Sequence, residues 1–205
     1  MIPDLPANIE TIKGFLADDE AQALYTHALQ SSSAGPVLEI GSYCGKSTIY
    51  LGLACRRNGS TLFALDHHRG SEEHQPGEMF HDPALYDAGE AIMDSFREFR
   101  RNIRMAGLED TVVPVVAASE PAARHWRTPL SMVFIDGGHS LAAALTDYRC
   151  WEPHLLRGGV LAIHDLFADA HAGGQAPLAI YRMALASGLF EEVERVSSLG
   201  LLRRI

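Results

Sequence analysis

Residues 37–47 read Val-Leu-Glu-Ile-Gly-Ser-Tyr-Cys-Gly-Lys-Ser and predict a buried strand, a glycine bend and the start of a helix. Glycine lets a bend approach a ligand closely, because no side chain stands between them. The helix N-terminus behind the bend offers backbone N–H groups without an intrahelical acceptor. A second predicted strand ends in Asp66, 21 residues after Gly45. A carboxylate near this spacing meets the ribose hydroxyls of a bound nucleotide, so the pattern predicts a nucleoside site.

The glycine pattern differs from the Gly-x-Gly-x-x-Gly of dinucleotide sites. It reads Glu39-x-Gly41-x-x-x-Gly45, with an acid inside the end of the strand. A carboxylate at this point would repel a pyrophosphate, whereas a cationic nucleoside without phosphate would tolerate it. We therefore expect a positively charged nucleoside ligand.

Strands and helices alternate along the rest of the chain. This alternation predicts a parallel sheet with helices on both faces, and Gly200 marks a hairpin turn that adds an antiparallel strand. We expect an α/β, doubly wound, mostly parallel seven-stranded sheet with a C-terminal antiparallel hairpin, in one domain over residues 1–205 that opens with a helical segment at 1–35. The predicted strands are 37–41, 61–66, 112–117, 132–135, 159–164, 190–197 and 200–205, and the predicted helices are 17–30, 46–57, 90–106, 120–126, 141–152 and 177–187.

The segment 67–89 interrupts this alternation. It is polar, contains glycine and proline, and is long for a connection inside a compact domain. We interpret it as a lid loop that excludes water from a site. Its histidines either add metal ligands when the lid closes or are simply solvated; they are His67, His68, His74 and His81.

Composition excludes several classes of partner. The 205 residues carry a formal net charge of −9, which disfavours nucleic acid, since phosphate binding depends on Lys and Arg. No apolar run approaches the length of a membrane span, and no signal peptide pattern opens the chain. Three cysteines without a Cys-x-x-Cys pair are typical of reduced thiols. We expect a cytoplasmic protein that binds a small molecule, with a homodimer as the default assembly.

Three blocks of sequence, at 37–47, 62–66 and 133–165, together resemble the class I S-adenosylmethionine-dependent methyltransferases. Within that class they are similar to a bacterial small-molecule group related to metal-dependent O-methyltransferases. The last block contains Phe-Ile-Asp-Gly-Gly-His-Ser at 134–140 and Gly-Gly-Val-Leu-Ala-Ile-His-Asp at 158–165. The likeness extends over nearly the whole chain and implies the Rossmann-like methyltransferase fold with S-adenosylmethionine as cofactor.

The resemblance also implies which residues contact that cofactor. In this family the glycine bend and the helix start wrap the methionine part, the acid after the second strand takes the ribose diol, and the turn after the third strand meets the adenine amino group. The cofactor-binding residues implied here are Glu39, Gly41, Ser42, Gly45, Ser47, Asp66, His67, Ala118, Ser119 and Asp136.

At the acceptor end the chain looks like the catechol-type, divalent-metal-dependent O-methyltransferases. That resemblance implies Asp136, His164 and Asp165 as metal ligands, with Asp136 and His139 as the catalytic residues and His139 as the base. Two departures stand out, because the family usually has a carboxylate where this chain has His164 and a lysine where it has His139. An imidazole ligand moves the expected ion from magnesium toward manganese or another transition metal.

These features predict methyl transfer from S-adenosylmethionine to a small-molecule acceptor, with a hydroxyl oxygen as the expected acceptor atom and a divalent metal assisting. Three alternatives stay open. The scaffold could carry a metal-dependent hydroxylase or hydrolase, it could methylate nitrogen, or it could be a nucleoside-binding subunit without activity. The acidic glycine bend argues against a hydroxylase or hydrolase, since neither chemistry needs a nucleoside pocket.

Overall fold

Strands and helices alternate in the computed structural model, which describes residues 2–71, 74–78, 81–169 and 173–205. The helices of these ranges are α1 (Asp18–Ser31), α2 (Lys46–Arg57), α3 (Phe96–Met105), α4 (Ser119–Ala123), α5 (Leu141–Trp151) and α6 (Ala176–Ala186). The strands are β1 (Val37–Ile40), β2 (Leu62–Leu65), β3 (Tyr86–Asp87), β4 (Ile92–Met93), β5 (Val112–Val115), β6 (Leu130–Ile135), β7 (Leu155–Ile163), β8 (Phe190–Val196) and β9 (Leu199–Arg204).

Seven of these strands form one sheet in the order β5-β2-β1-β6-β7-β9-β8. Strands β1, β2, β5, β6 and β7 run parallel, whereas β9 pairs antiparallel with both β7 and β8. The predicted α/β sheet with a C-terminal antiparallel hairpin is therefore confirmed. The strand order reverses between β1 and β6, and open α/β sheets bind their ligands at such a switch point.

Two hydrophobic clusters cover the two faces of this sheet. Alternate strand residues point to opposite faces, so Val37 packs with α1, α2 and α3 while Leu38 packs with α4, α5 and α6. Strand β6 is buried along its whole length, as expected of a central parallel strand. No helix within the described ranges is long and apolar enough to cross a lipid bilayer.

The predicted helix 90–106 is wrong before Phe96. Ile92 belongs to a short hairpin of β3 and β4 and is 37% exposed, whereas Phe99 is buried as predicted. Two backbone bonds fix this turn, since Asp94 N donates to Leu85 O at 2.7 Å and Ser95 N donates to His68 O at 3.1 Å. The hairpin lies within and just after the predicted lid 67–89, of which residues 72, 73, 79 and 80 lie outside the described ranges.

One edge of the sheet is β5, which carries Pro114. The carbonyl oxygens of Thr111 and Val115 accept from Leu62 N and Asp66 N of the β2 side. Because strand residues alternate in direction, Pro114 turns its nitrogen toward the outer edge. That nitrogen carries no hydrogen, so an edge strand is the place where a sheet tolerates proline.

Candidate active site

A cleft of about 1000 Å³ opens at the carboxyl ends of β1, β2, β5 and β6, lined by Asp66, Ser119 and Asp136 among others. A second cavity of about 720 Å³ lies beside it, between the chain ahead of α1 and the loop after β7. Asp136 and His139 border both spaces. The two cavities therefore meet at the end of β6, and each has the size of a small-molecule site.

The glycine bend forms because two strands approach each other closely at the switch point. Gly41 has a φ of 90°, and a Cβ atom there would lie 2.0 Å from the carbonyl oxygen of Asp136. Gly45 also has a φ of 90° and precedes the first residue of α2. Both positions require glycine, since other L-residues rarely adopt this conformation.

Glu39 lies beneath the bend and is fully buried. Its carboxyl group accepts hydrogen bonds from the hydroxyls of Ser47, at 2.6 Å, and of Thr48. Burial raises the pKa of Glu39 to about 8, because the two hydroxyl bonds do not offset the loss of hydration, and the nearby carboxylates of Asp136 and Asp66 raise the pKa further. The side chain points to the start of α2, so a direct contact between Glu39 and a cofactor stays a prediction. Unlike the Glu39 carboxyl group, the buried hydroxyl of Ser42 has no hydrogen-bond partner among the described residues.

Replacing Glu39 with glutamine is expected to stabilise the protein relative to the wild type as the pH rises. The folded state holds the Glu39 proton up to about pH 8, whereas the unfolded chain releases it near the ordinary pKa of 4.5. Wild-type stability therefore falls through this window, and glutamine has no proton to release. Chemical denaturation at about pH 5 and about pH 8 should show a relative gain of about 3 kcal/mol. The exposed Glu109→Gln serves as control, and equal pH profiles for wild type and Glu39→Gln would refute the shift.

Asp66 is held rigidly at the cleft wall. Its Oδ2 accepts from Tyr43 N at 2.8 Å and its Oδ1 accepts from His68 N at 2.7 Å. His67 next to it is exposed and lines the cleft. Because the backbone fixes both oxygens, a ligand finds them already oriented.

His68 belongs to the protein interior rather than to a solvated lid. Its Nδ1 lies 2.9 Å from Ser95 Oγ, and its ring packs against Phe96 and Phe99. Burial lowers its pKa. One of the two interpretations left open for the loop histidines, simple solvation, is therefore wrong for His68.

Ser119 is buried at the start of α4, and its hydroxyl is already paired. Ser119 Oγ donates to Asp147 Oδ1 at 2.5 Å and accepts from Trp151 Nε1 at 3.0 Å. Burial raises the pKa of Asp147 to about 6. Sequence analysis missed Asp147, although its spacing from the buried Ala144 and Trp151 places it on the inner face of α5.

His164 is a buried cation between carboxylates. Its Nδ1 lies 3.0 Å from Asp136 Oδ1, and its Nε2 lies 3.0 Å from Glu20 Oε2. Burial lowers the pKa of His164, but Asp136, Glu20 and Asp165 outweigh it and raise the pKa to about 11. An imidazolium with both nitrogens paired offers no lone pair to a metal. His164 as a metal ligand stays a prediction, since it would first have to lose a proton and one of these two partners.

His139 forms a cluster with Asp136 and Asp165. One ligand atom from each of Asp136, His139 and Asp165 lies within 4.8 Å of the others. His139 Nε2 is 2.9 Å from Asp165 Oδ2. The residue that the sequence predicts as the base therefore lies where a metal ligand would be.

Glu20 was not among the predicted site residues, because the sequence indicated it only as an acid in the first turn of α1.

Residues 38–166 match the model of a family described as a methyltransferase domain, and the chain belongs to that family. This confirms the predicted resemblance. The O-methyltransferase NovP is 16% identical with a TM-score of 0.69, over 91% of this chain and 79% of NovP. An O-methyltransferase from Bacillus cereus in complex with SAH is 16% identical with a TM-score of 0.62, over 95% of this chain and 86% of that one.

A third solved structure is TomG from Streptomyces achromogenes, an O-methyltransferase involved in tomaymycin synthesis, in complex with SAM. It is 17% identical with a TM-score of 0.62, over 97% of this chain and 86% of TomG. At these identities the likeness shows the fold. The chain therefore belongs to the methyltransferase-domain family and shares the fold of these solved structures.

Proposed function

We propose that this methyltransferase transfers the methyl group of S-adenosylmethionine to a hydroxyl oxygen of a small molecule. One observation carries the proposal. The backbone-anchored carboxylate of Asp66 and the cluster of Asp136, His139 and Asp165 stand at two ends of adjoining cavities at the sheet's switch point.

The residues around the bend fit S-adenosylmethionine. Asp66 would accept hydrogen bonds from the ribose diol through two oxygens whose directions the backbone fixes. The Ser42 hydroxyl, which is 1% exposed and has no hydrogen-bond partner within the described ranges, borders the second cavity and would gain a partner from the methionine part. A carboxylate at the junction, Asp136, suits a sulfonium cation electrostatically.

The second cavity fits the acceptor. Phe15, Leu16 and Phe167 line it, and Asp136 and His139 stand where it meets the cleft. Apolar walls of this kind exclude water and hold an organic molecule against the polar end. In an in-line methyl transfer the protein contributes mainly orientation, worth about 7–11 kcal/mol in favourable cases.

The cluster of Asp136, His139 and Asp165 suits a divalent metal ion, with two carboxylates and one imidazole as donors. A bound ion would supply a Lewis acid that lowers the pKa of a hydroxyl group. Oxygen and imidazole donors together favour manganese or another transition metal over magnesium. His164 would keep Asp136 in position through its 3.0 Å contact with Oδ1.

A metal-free route rests on a different contact. When His139 donates its Nε2 hydrogen to Asp165 Oδ2, at 2.9 Å, the tautomer leaves the basic lone pair on Nδ1. His139 would then act as the base that takes the hydroxyl proton, while Asp165 stabilises the imidazolium. General-base help of this kind typically gives a factor of about 10²–10⁴.

Chelation separates the two routes. With the metal route, dialysis against a strong chelator is expected to lower methyl transfer by about 10-fold or more, and Mn²⁺ should restore it. His139→Ala should weaken Mn²⁺ binding about 10- to 100-fold in calorimetry and leave the affinity for S-adenosylhomocysteine unchanged. The exposed His125→Ala is the control. Full activity after chelation, combined with loss in His139→Ala, would leave only the metal-free base.

The proposed function is tested by calorimetric titration with S-adenosylmethionine and S-adenosylhomocysteine, followed by turnover with phenols, catechols and matched amines. We expect binding of both nucleosides and release of S-adenosylhomocysteine with a hydroxylated acceptor. Methylation of the amines alone would make the enzyme an N-methyltransferase. Oxygenated or hydrolysed products without S-adenosylhomocysteine would indicate the other enzyme classes, and absence of binding would refute the proposal.

A further inference from the structure

Asp147 is a carboxylate in the nucleoside half of the large cleft. It lies on α5, is 9% exposed, and borders the same space as Asp66 and Ser119. An acid this buried is costly unless its oxygens have partners. Its surroundings therefore indicate what each oxygen is for.

One oxygen of Asp147 serves the protein. Oδ1 accepts the Ser119 hydroxyl at 2.5 Å, and that hydroxyl accepts from Trp151 Nε1 at 3.0 Å. An indole N–H can only donate, so the Ser119 hydrogen must point to Asp147. The chain of bonds fixes both the position and the polarity of this carboxyl group.

The other oxygen, Oδ2, is left for the cleft. It lies beside Gly137, where a Cβ atom would be 2.7 Å away, so a side chain at residue 137 would displace this oxygen. Within the described ranges Asp147 has the Ser119 bond as its hydrogen bond. Oδ2 is therefore an oriented acceptor at the cleft wall, and its complement is an N–H donor.

We infer that Asp147 Oδ2 accepts a hydrogen bond from the exocyclic amino group of the cofactor's adenine and makes the site specific for a 6-aminopurine. The inference rests on the proposed function. The contact with the adenine amino group, which the sequence predicted for Ser119, is thereby assigned to Asp147. Ser119 is the positioning residue, because its hydroxyl already donates to Asp147 and accepts from Trp151. A 6-oxopurine would turn a carbonyl oxygen toward a carboxylate, and such a mismatch leaves a buried polar group unpaired.

Calorimetric titration of the wild type with S-adenosylhomocysteine and with S-inosylhomocysteine gives the first test. The two ligands differ at position 6, where an amino group is replaced by an oxo group, and at the adjacent N1, which carries a hydrogen only in the inosine form. We expect the adenine form to bind about 30-fold more tightly. Equal affinities would overturn the inference without any variant, while failure of the adenine form to bind would overturn the proposed function as well.

Asp147→Asn gives the second test. The Ser119 hydrogen holds the amide oxygen at the Oδ1 place, so the amide NH₂ must replace Oδ2 and face the cleft. We expect the preference for adenine over hypoxanthine to fall by about 10-fold or more, with tighter binding of the inosine form. Ser119→Ala removes the bond that orients the Asp147 carboxyl group, so we expect it to lower the same preference, but by less than Asp147→Asn does. A preference unchanged in folded Asp147→Asn would show that the carboxylate is only structural.

Discussion

Replacing Glu20 with glutamine is expected to lower the free energy of unfolding by about 3–5 kcal/mol near neutral pH. Glu20 is 3% exposed. Its Oε1 accepts hydrogen bonds from Ser198 N at 2.8 Å and from Ser198 Oγ at 2.7 Å. Its Oε2 lies 3.0 Å from His164 Nε2 and accepts from Ala17 N at 3.1 Å. The variant leaves a buried imidazolium with one carboxylate fewer. Chemical denaturation of the purified protein measures the loss.

The pH dependence of that loss has a definite sign. Burial raises the pKa of Glu20, but bonds from His164 and Ser198 outweigh it and lower the pKa to about 2, so its contribution is present above 4.5 and is lost as the pH falls toward 2. The pKa of His164 is raised to about 11, so its contribution is complete below 6.5 and is lost as the pH rises toward 11. The deficit of Glu20→Gln should therefore be largest between these windows.

The control for this prediction is Asp18→Asn, which removes an exposed acid from the same helical turn. We expect it to lower the free energy of unfolding by about 0.3–1 kcal/mol, through the loss of a favourable interaction with the helix dipole. Comparable losses in the two variants would contradict the buried ion pair.

Replacing Asp66 with alanine is expected to weaken S-adenosylhomocysteine binding about 100-fold. Two hydrogen bonds to a charged group would be lost, each worth about 1.5–3 kcal/mol, and every 1.4 kcal/mol is about a tenfold change in affinity. Part of the effect could come from the bend, since Asp66 also accepts from Tyr43 N and His68 N. The measurement therefore compares S-adenosylhomocysteine with its 2′-deoxyribose analogue in both proteins.

Removal of the 2′-hydroxyl should weaken binding to the wild type and leave binding to Asp66→Ala unchanged. The variant Asp110→Ala removes an exposed acid just before β5, at the amino ends of the strands, and should behave as the wild type. An equal penalty for the deoxy analogue in wild type and Asp66→Ala would show that Asp66 supports the bend without touching the ribose.

The sheet and the carboxylates that follow its strands could be predicted, because the sequence patterns that indicate them are local. Asp66 and Asp136 follow apolar strands directly, and parallel strands bring their carboxyl ends to one edge. The glycine bend was readable for the same reason, since Gly41 and Gly45 sit in one short stretch.

The roles of Glu20 and Asp147 could not be predicted, because their partners are remote. Glu20 pairs with His164 across 144 positions, and Ser119 meets Asp147 across 28. No periodicity in one segment carries that information. The predicted start of the helix that in fact begins at Phe96 was wrong for a different reason. Ile92 falls at helical spacing from Phe96, yet the backbone there pairs as a hairpin, and periodicity alone does not separate the two.

Pro114 restricts how copies of this chain could assemble. A strand from another molecule that approached the outer rim of β5 would need a backbone donor where the pyrrolidine ring supplies none. Extension of the sheet through that rim, the route by which exposed strands template aggregates, is thus blocked at its midpoint. Any extension of the sheet by a second copy would have to use its other edge, strand β8.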